Sequence, residues 1–199
     1  MKIGIMGGTF NPIHNGHLLI AENAYWQFKL DEIRFMPAGI PPHKQNMGIL
    51  DGNIRCAMVQ QAIKDIPYFS IDKREVQASD ISYTYKTLER MHLESPNDSF
   101  YFIMGADSLL YFDKWVKPEE ILKYATVLAA ARDAVEVSEI KEKIQMITSK
   151  LGGNMDYIKT PAFNVSSQEI RSRIAANESI RYLVPDDVRT YITDNRLYR

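Results

Sequence analysis

The sequence predicts an α/β protein whose mostly parallel sheet is covered by helices on both faces. Short apolar runs, typical of buried strands, alternate along the 199 residues with segments whose apolar residues recur every three or four positions. Strands that alternate with helices are joined by crossover connections, which make neighbouring strands parallel and place helices on both faces. From residue 166 onward the pattern is helical, which predicts a C-terminal helical extension.

Six apolar runs have the composition of strands, at residues 2–6, 33–37, 69–72, 100–104, 126–130 and 157–159. The segments between them show helical periodicity. The residues that share one face are Leu18, Ala21, Tyr25 and Phe28 in the first helix, and Met58, Val59, Ala62 and Ile63 in the second. Pro185 suits the first position of a last helix. We therefore expect one domain over residues 1–199, with an α/β core at 1–165 and a C-terminal helical part at 166–199.

Composition narrows the class of protein. The formal net charge is −1, which argues against general binding of nucleic acid or of a membrane surface. A single cysteine, Cys56, excludes an intrachain disulfide, and its helical face predicts that it lies in the core. The N-terminal apolar run stops at Gly7, too early for a signal peptide, and no run reaches the roughly 18 apolar residues of a membrane span. The prediction is a cytoplasmic protein, and homo-oligomerisation stays open. The charged residues 73–75 are interpreted as a solvated turn.

The most informative segment is residues 7–17, Gly-Gly-Thr-Phe-Asn-Pro-Ile-His-Asn-Gly-His, which follows the first strand and opens the first helix. Glycines let backbone amides approach a ligand, and a helix N-terminus attracts anions. His14 and His17 stand where that anion would lie, at the strand end where ligands bind in such sheets. The segment predicts a phosphate site; the alternative is a tight turn that carries two surface histidines.

A second anion site is predicted at the start of the C-terminal part. Ser166 with Glu169 matches a capping box, which by itself indicates an ordinary helix start. The same turn offers free amides, the Ser167 hydroxyl and the Arg171 guanidinium, which together suit a polyphosphate. The two sites would hold one triphosphate from two sides. The P-loop and dinucleotide glycine patterns are absent, and no zinc spacing occurs, so we predict no protein metal ligands.

Together, these motifs resemble those of bacterial nicotinate mononucleotide adenylyltransferases, in the nucleotidyltransferase α/β-phosphodiesterase superfamily with its His-x-Gly-His signature. Beyond residues 7–17, the resemblance rests on Pro-Pro-His-Lys at 41–44, Ser-Tyr-Thr at 82–84, Gly-Ala-Asp-Ser at 105–108, Trp115 and Ser-Ser-x-x-Ile-Arg at 166–171. These motifs occur in the family's order and span essentially the whole chain. The resemblance implies a Rossmann-like fold and transfer of AMP from ATP to nicotinate mononucleotide. The products would be deamido-NAD and pyrophosphate, in NAD biosynthesis, with Mg²⁺ as the cofactor.

On the ATP side, the resemblance implies that His14, His17 and Arg171 are catalytic, with His17 on the reacting α-phosphate. Ser167 and Arg171 would hold the β- and γ-phosphates, and Asp107 would bind sugar and base atoms. The ATP-binding residues that it implies are Gly8, Thr9, Phe10, Gly16, Gly105, Asp107, Ser166, Ser167 and Ile170. For Asp107 the alternative is a turn or helix cap after the strand.

On the acceptor side, the resemblance implies that Thr84 and the backbone of Val116 receive the nicotinate carboxylate. Trp115 would stack on the pyridine ring, and Lys44 would help to close a loop over the phosphates. The residue chemistry agrees, because an indole face suits a cationic ring and a hydroxyl with an amide suits a carboxylate. The alternatives are a core or interface tryptophan and a solvated lysine. Val116 stands where the family usually has an aromatic residue. Arg132 is not followed by the Pro-Gly that often follows the family's arginine, so no ATP contact is assigned to it.

The resemblance implies direct in-line displacement. The acceptor's own phosphate, largely dianionic at neutral pH, would be the nucleophile, so no general base is needed. His14, His17 and Arg171 would supply a positive field together with Mg²⁺ and helix-end amides. Two other classes stay open: another enzyme of the superfamily, such as phosphopantetheine adenylyltransferase or a cytidylyltransferase, and a non-catalytic nucleotide sensor. The acceptor motifs argue against the first, and the three intact phosphate-binding residues argue against the second.

Overall fold

The structure is a computed structural model that describes residues 1–39, 48–78, 81–131 and 134–199. Within these ranges the strands are β1 (Lys2–Gly8), β2 (Glu32–Pro37), β3 (Phe69–Ile71), β4 (Ser99–Met104), β5 (Ala125–Ala131) and β6 (Met155–Lys159). The helices are α1 (Asn15–Phe28), α2 (Gly52–Ile63), α3 (Arg74–Gln77), α4 (Thr84–Glu94), α5 (Ala106–Leu110), α6 (Pro118–Tyr124), α7 (Ala134–Leu151), α8 (Ser167–Ala175) and α9 (Asp186–Asp194). A short 3-10 turn, Phe112–Lys114, follows α5.

The strands form one parallel sheet in the order β3-β2-β1-β4-β5-β6. β1 lies at its centre, so that Met6 is beside Phe35 of β2 on one side and beside Ile103 of β4 on the other. The strand order reverses between β1 and β4, and a crevice opens at the carboxyl ends of the strands at such a point. The predicted Rossmann-like α/β fold is confirmed, and the C-terminal helices are present.

Each face of the sheet has its own apolar core, because successive residues of a strand point to opposite faces. Ile3 and Ile5 of β1 pack with residues of α4 to α7 on one face. Met6 packs on the other face with residues of α1 and α2, and Ile170 and Val188 of the C-terminal helices belong to the same cluster. Strands that are covered on both sides are apolar almost throughout.

The predicted elements agree with the structure to within two residues at each strand end. Cys56 is buried on α2, as predicted. Pro185 is the N-cap of α9 and precedes its first residue, one position outside the predicted place. The interpretation of residues 73–75 as a solvated turn is wrong, because Arg74 opens α3 and the side chain of Glu75 is half-buried. No helix in the described ranges is long and apolar enough to cross a membrane.

The turn between α7 and β6 allows a matched test of backbone strain. Gly152 and Gly153 both have positive φ, 74° and 77°. A Cβ atom on Gly153 would meet the Cβ of Leu122 at 2.6 Å, whereas one on Gly152 would meet nothing within 4 Å. We expect Gly152→Ala to lower the free energy of unfolding by about 1–2 kcal/mol, and Gly153→Ala by roughly 1–3 kcal/mol more. Urea unfolding measures both, and equal losses would contradict the contact.

Candidate functional site

Two cavities open at the carboxyl ends of the central strands, with volumes of about 330 Å³ and 300 Å³. The residues that line both of them are Gly7, Gly8, Phe102, Ser108 and Trp115. The shared wall therefore includes the end of β1, beside the reversal of strand order. Ligands bound in the two cavities would meet above Gly7 and Gly8.

A stacked pair of histidines borders the first cavity. His14 is the N-cap of α1, and its ring centroid lies 3.6 Å from that of His17 with an angle of 22° between the planes. The backbone N–H of His14 donates to Nδ1 of His17 over 3.2 Å. Because Nδ1 of His17 accepts, the proton of its neutral ring is on Nε2. The edge of Phe10 packs against His17 at 5.0 Å between centroids. The ring of His17 thus has a fixed tautomer.

Both histidines are neutral at pH 7. Burial lowers the pKa of His14 from 6.5 to about 4. Burial, and secondarily the neighbouring His14, lowers the pKa of His17 well below its usual value. Without a ligand they therefore carry no positive charge, and each neutral ring has one N–H that can donate a hydrogen bond to a phosphate. Nδ1 of His14 is buried and has no hydrogen-bond partner among the described residues. A buried polar atom without a partner is costly, so a ligand that supplies one is favoured.

Helix α8 docks on the segment between β1 and α1. Its N-cap, Ser166, accepts a hydrogen bond from the backbone N–H of Glu169, as the predicted cap requires. The Ser167 hydroxyl donates to the carbonyl of Pro12, and Nη1 of Arg171 donates to the carbonyl of Asn11, both over 2.8 Å. Ser166, Ser167 and Arg171 line neither cavity. In this structure Ser167 and Arg171 hold the backbone of the predicted phosphate segment, while Ser166 caps its own helix.

Two predicted ATP contacts have side chains in the core. Phe10 is 1% exposed and Ile170 is fully buried. The backbone N–H of Ile170 donates within α8 to the carbonyl of Ser166, so this residue presents no free group to the cavity. Phe10 retains its backbone N–H as a group that can bind a ligand. Lys44 and Arg132 lie outside the described residues.

The other residues predicted to bind ATP line the first cavity or the second. Gly105 and Asp107 line the first, after the end of β4. Gly105 is the N-cap of α5, so the alternative in which Asp107 caps a helix is wrong. Gly16 also lines the first cavity, and a Cβ there would lie 3.1 Å from Nδ1 of His14. Thr9 lines the second cavity.

The predicted acceptor residues come together in the second cavity. Thr84 is the first residue of α4, and no acidic residue occupies the first turn of this helix. Trp115 is half-buried, packs on Phe102 at 6.1 Å between centroids and still lines both cavities. Val116, beside it, is 47% exposed. Trp115 therefore combines core packing with a ring surface that a ligand can reach.

Sequence reasoning missed one carboxylate of the second cavity. Glu75 lines that cavity, and its Oε1 accepts a hydrogen bond of 2.7 Å from the Thr87 hydroxyl. Burial raises the pKa of Glu75. Because the two preceding residues, Lys73 and Arg74, are also charged, the sequence pattern predicted a solvent-exposed side chain for Glu75. Within the described ranges, no group of three or more His, Cys, Asp or Glu is placed to hold a metal ion.

Comparison with known proteins identifies the family of this chain. A family model described as cytidylyltransferase-like matches residues 5–173. The chain is 39% identical to a probable nicotinate-nucleotide adenylyltransferase of Lachnoclostridium phytofermentans, over 99% of this chain and 98% of that protein. It is also 39% identical to a protein of the same name from Carboxydothermus hydrogenoformans, over 100% of this chain and 98% of that one. These relatives cover the full length and identify the family.

A solved structure shows the same fold. The nicotinic acid mononucleotide adenylyltransferase of Plasmodium falciparum, complexed with NaAD, matches with a TM-score of 0.80 at 20% identity. The match covers 99% of this chain and 97% of that one. At this identity the similarity concerns the fold alone.

The low pKa of His14 predicts a loss of stability in acid. The unfolded state, with a pKa near 6.5, takes up a proton that the folded state binds only near pH 4, so stability falls as pH drops through this window. From pH 7 to pH 5 the loss from His14 is about 2 kcal/mol. Urea unfolding should show a weaker pH dependence for His14→Gln than for the wild type, whereas the control His92→Gln should keep it. An unchanged dependence in His14→Gln would contradict the burial argument.

Proposed function

Because the chain belongs to the cytidylyltransferase-like family and is a nucleotidyltransferase, we propose that it transfers AMP from ATP to nicotinate mononucleotide. The products are deamido-NAD and pyrophosphate, in NAD biosynthesis. The observation that carries this proposal is the pair of cavities that share the wall at Gly7 and Gly8. Transfer between two nucleotides requires two sites whose phosphate ends meet, and this wall lies beside two histidines with neutral rings.

ATP occupies the first cavity in this proposal. Its adenosine lies toward Gly105 and Asp107 and its phosphates toward α1. Nε2–H of His17 donates to the α-phosphate, where negative charge develops in the transition state, and the unpartnered Nδ1 of His14 offers a second polar group. Arg171 uses Nη1 on the carbonyl of Asn11, which leaves its other donors for the β- and γ-phosphates. Mg²⁺ would come bound to ATP, since no group of described His, Cys, Asp or Glu residues is placed to hold it, and it would neutralise charge on the triphosphate.

Nicotinate mononucleotide occupies the second cavity. Its ring, a flat cation, stacks on Trp115, and its carboxylate lies near Thr84 and the backbone N–H of Val116. The N-terminus of α4 favours an anion at this place, because its first amides are unpaired within the helix and it carries no acidic residue in its first turn. The phosphate of the mononucleotide then points to Thr9 and to Gly8, which belongs to the wall shared with the first cavity.

The reaction is a single displacement. An oxygen of the mononucleotide phosphate forms a bond to the α-phosphorus of ATP, and the bond from the α-phosphorus to the bridging oxygen breaks. Pyrophosphate leaves with that oxygen and its electron pair. The nucleophile is already dianionic near pH 7, since its second pKa is about 6, so the protein has to align the two phosphates and not to remove a proton.

A pyrophosphate-release assay tests the proposed function against its alternatives. Nicotinate mononucleotide, nicotinamide mononucleotide and phosphopantetheine are offered as acceptors, and ATP or CTP as the donor. We expect release with ATP and nicotinate mononucleotide. Release only with phosphopantetheine, or only with CTP, would assign the chain to another branch of the superfamily. No release with any pair would favour a nucleotide sensor.

We expect His17→Ala to lower kcat by about 10²–10³-fold, because one fixed donor to the developing charge is lost. The matched control is His92→Ala on α4, a histidine that lines neither cavity. Steady-state kinetics with ATP and nicotinate mononucleotide measures both variants, and their melting temperatures check the fold. A folded His17→Ala enzyme with the turnover of the control would remove this residue from the site.

Acceptor choice depends on Thr84 in our proposal. A carboxylate accepts from both the Thr84 hydroxyl and the Val116 amide, whereas a carboxamide brings donors of its own and leaves one of them unpaired. An unpaired buried donor costs about 1–3 kcal/mol, so the acid should be preferred at least about tenfold. Thr84→Val should reduce that preference, and Trp115→Ala should weaken both acceptors equally. Specificity constants for the acid and the amide decide this, and a wild type that uses both equally would refute the assignment.

A further inference from the structure

Arg55, on α2, is a buried cation that the function described so far does not use. It is 2% exposed, and no salt bridge of this arginine is found in the described part of the chain. Its guanidinium donates instead to backbone carbonyls. The acceptors are Leu50 from Nε at 2.9 Å, Thr9 from Nη1 at 2.7 Å, and Ala38 and Gly39 from Nη2 at 2.7 Å and 3.4 Å. Its planar fork spreads five N–H donors in fixed directions, whereas a lysine ammonium presents three donors from a single nitrogen and cannot span the same carbonyls in this geometry.

These carbonyls belong to the ends of the two strands that approach the second cavity. Thr9 follows β1 and Ala38 follows β2. Both residues line the second cavity, and the backbone N–H of Ala38 donates to the carbonyl of Gly8 over 2.8 Å. Arg55 therefore ties the two strand ends to each other and to α2 from behind the wall where the cavities meet.

The planarity of the peptide bond makes this anchoring directional. In a trans peptide the C=O of one residue and the N–H of the next point in opposite directions. The carbonyl of Ala38 faces Arg55, and the N–H of Gly39 points away from it to the hydroxyl of Ser82, 3.1 Å away at the second cavity. The carbonyl of Thr9 also faces Arg55. The N–H of Phe10 must then point away from Arg55.

The N–H of Phe10 has the properties of a ligand-binding donor. It makes no hydrogen bond to any described residue, although the residue itself is almost fully buried. In sequence it follows Gly8 of the shared wall and Thr9 of the second cavity, and its own ring packs against His17. Phe10 has a positive φ of 49°, which a non-glycine residue adopts only when its surroundings impose it. The hydrogen bond from Arg55 to the preceding carbonyl is one such constraint.

We propose that Arg55 is a positioning residue for the transfer reaction: by holding the carbonyls of Thr9 and Ala38, it aims the Phe10 amide at the phosphates between the two cavities. This role rests on the proposed function. Arg55 acts through the backbone and does not itself touch the substrates. The buried charge also favours anions bound above it, since no described carboxylate forms a salt bridge with it, although the charge of Asp51 also acts on it.

The first experiment compares Arg55→Lys with Arg90→Lys, which replaces an exposed arginine on α4. We expect Arg55→Lys to lower kcat by about tenfold or more, because the phosphates lose an oriented donor. The dissociation constant for pyrophosphate should rise about fivefold or more, and that for adenosine should stay unchanged. A purely structural role would weaken both ligands together or affect only the melting temperature. A folded Arg55→Lys enzyme with the kcat and pyrophosphate affinity of Arg90→Lys overturns the proposal.

The second experiment uses the wild type and does not depend on the folding of a variant. Thr9-Phe10 is the only Thr-Phe pair in the sequence, so labelling threonine carbonyls with ¹³C and phenylalanine amides with ¹⁵N gives one resonance for the Phe10 N–H. Pyrophosphate should shift this resonance as it saturates the site, and adenosine should not. An enzyme that is active and binds pyrophosphate without this shift refutes the proposed role of Arg55. An enzyme that releases no pyrophosphate from ATP and nicotinate mononucleotide refutes the proposed function instead.

Discussion

The segment between β1 and α1 is held from behind through its carbonyl oxygens, and the site depends on this arrangement. Thr9, Asn11 and Pro12 each accept a hydrogen bond from a side chain of another element: Arg55 of α2, Arg171 of α8 and Ser167 of α8. Carbonyl oxygens would repel a phosphate, whereas amides attract one. Turning the carbonyls toward the protein therefore makes the segment suited to an anion before any ligand arrives.

Asn11 connects this segment to the C-terminus of the chain. Its Oδ1 accepts from the Tyr198 hydroxyl over 2.9 Å and from the N–H of Leu50 over 3.3 Å, and its Nδ2 donates to the carbonyl of Gly48 over 3.4 Å. Asn11 is 4% exposed, so these bonds satisfy a buried amide. Because α8 and Tyr198 both bind the segment, the C-terminal helical part contributes to the geometry of the site as well as to the core.

The sequence predicted the features that depend on local pattern. The strands, the helix start at Ser166 and the segment at 7–17 each follow from residues that are close in sequence. Contacts between distant residues were not predictable in this way. Arg55 looks like an ordinary helical arginine until the structure shows its carbonyl partners, and Glu75 looks solvated because its neighbours in sequence are charged. Arg171 was expected to contact phosphate directly, and its bond to a carbonyl requires the folded position of α8.

The protonation of the histidines is the feature that sequence predicted least well. A histidine near a phosphate suggests a cation. In the ligand-free protein, burial removes the water that would stabilise a charge on either ring of the His14–His17 pair. Because the two rings are stacked, a charge on one would also repel a charge on the other. Their neutral state is compatible with the proposed nucleophile. A phosphate with a second pKa of about 6 is dianionic at pH 7, where a pKa of about 4 leaves His14 unprotonated. The proposed nucleophile is therefore dianionic at a pH where His14 of the ligand-free protein is neutral. In the proposed mechanism, arginine and helix-end amides would supply positive field at the phosphates, and the fixed His17 ring would supply a directed donor.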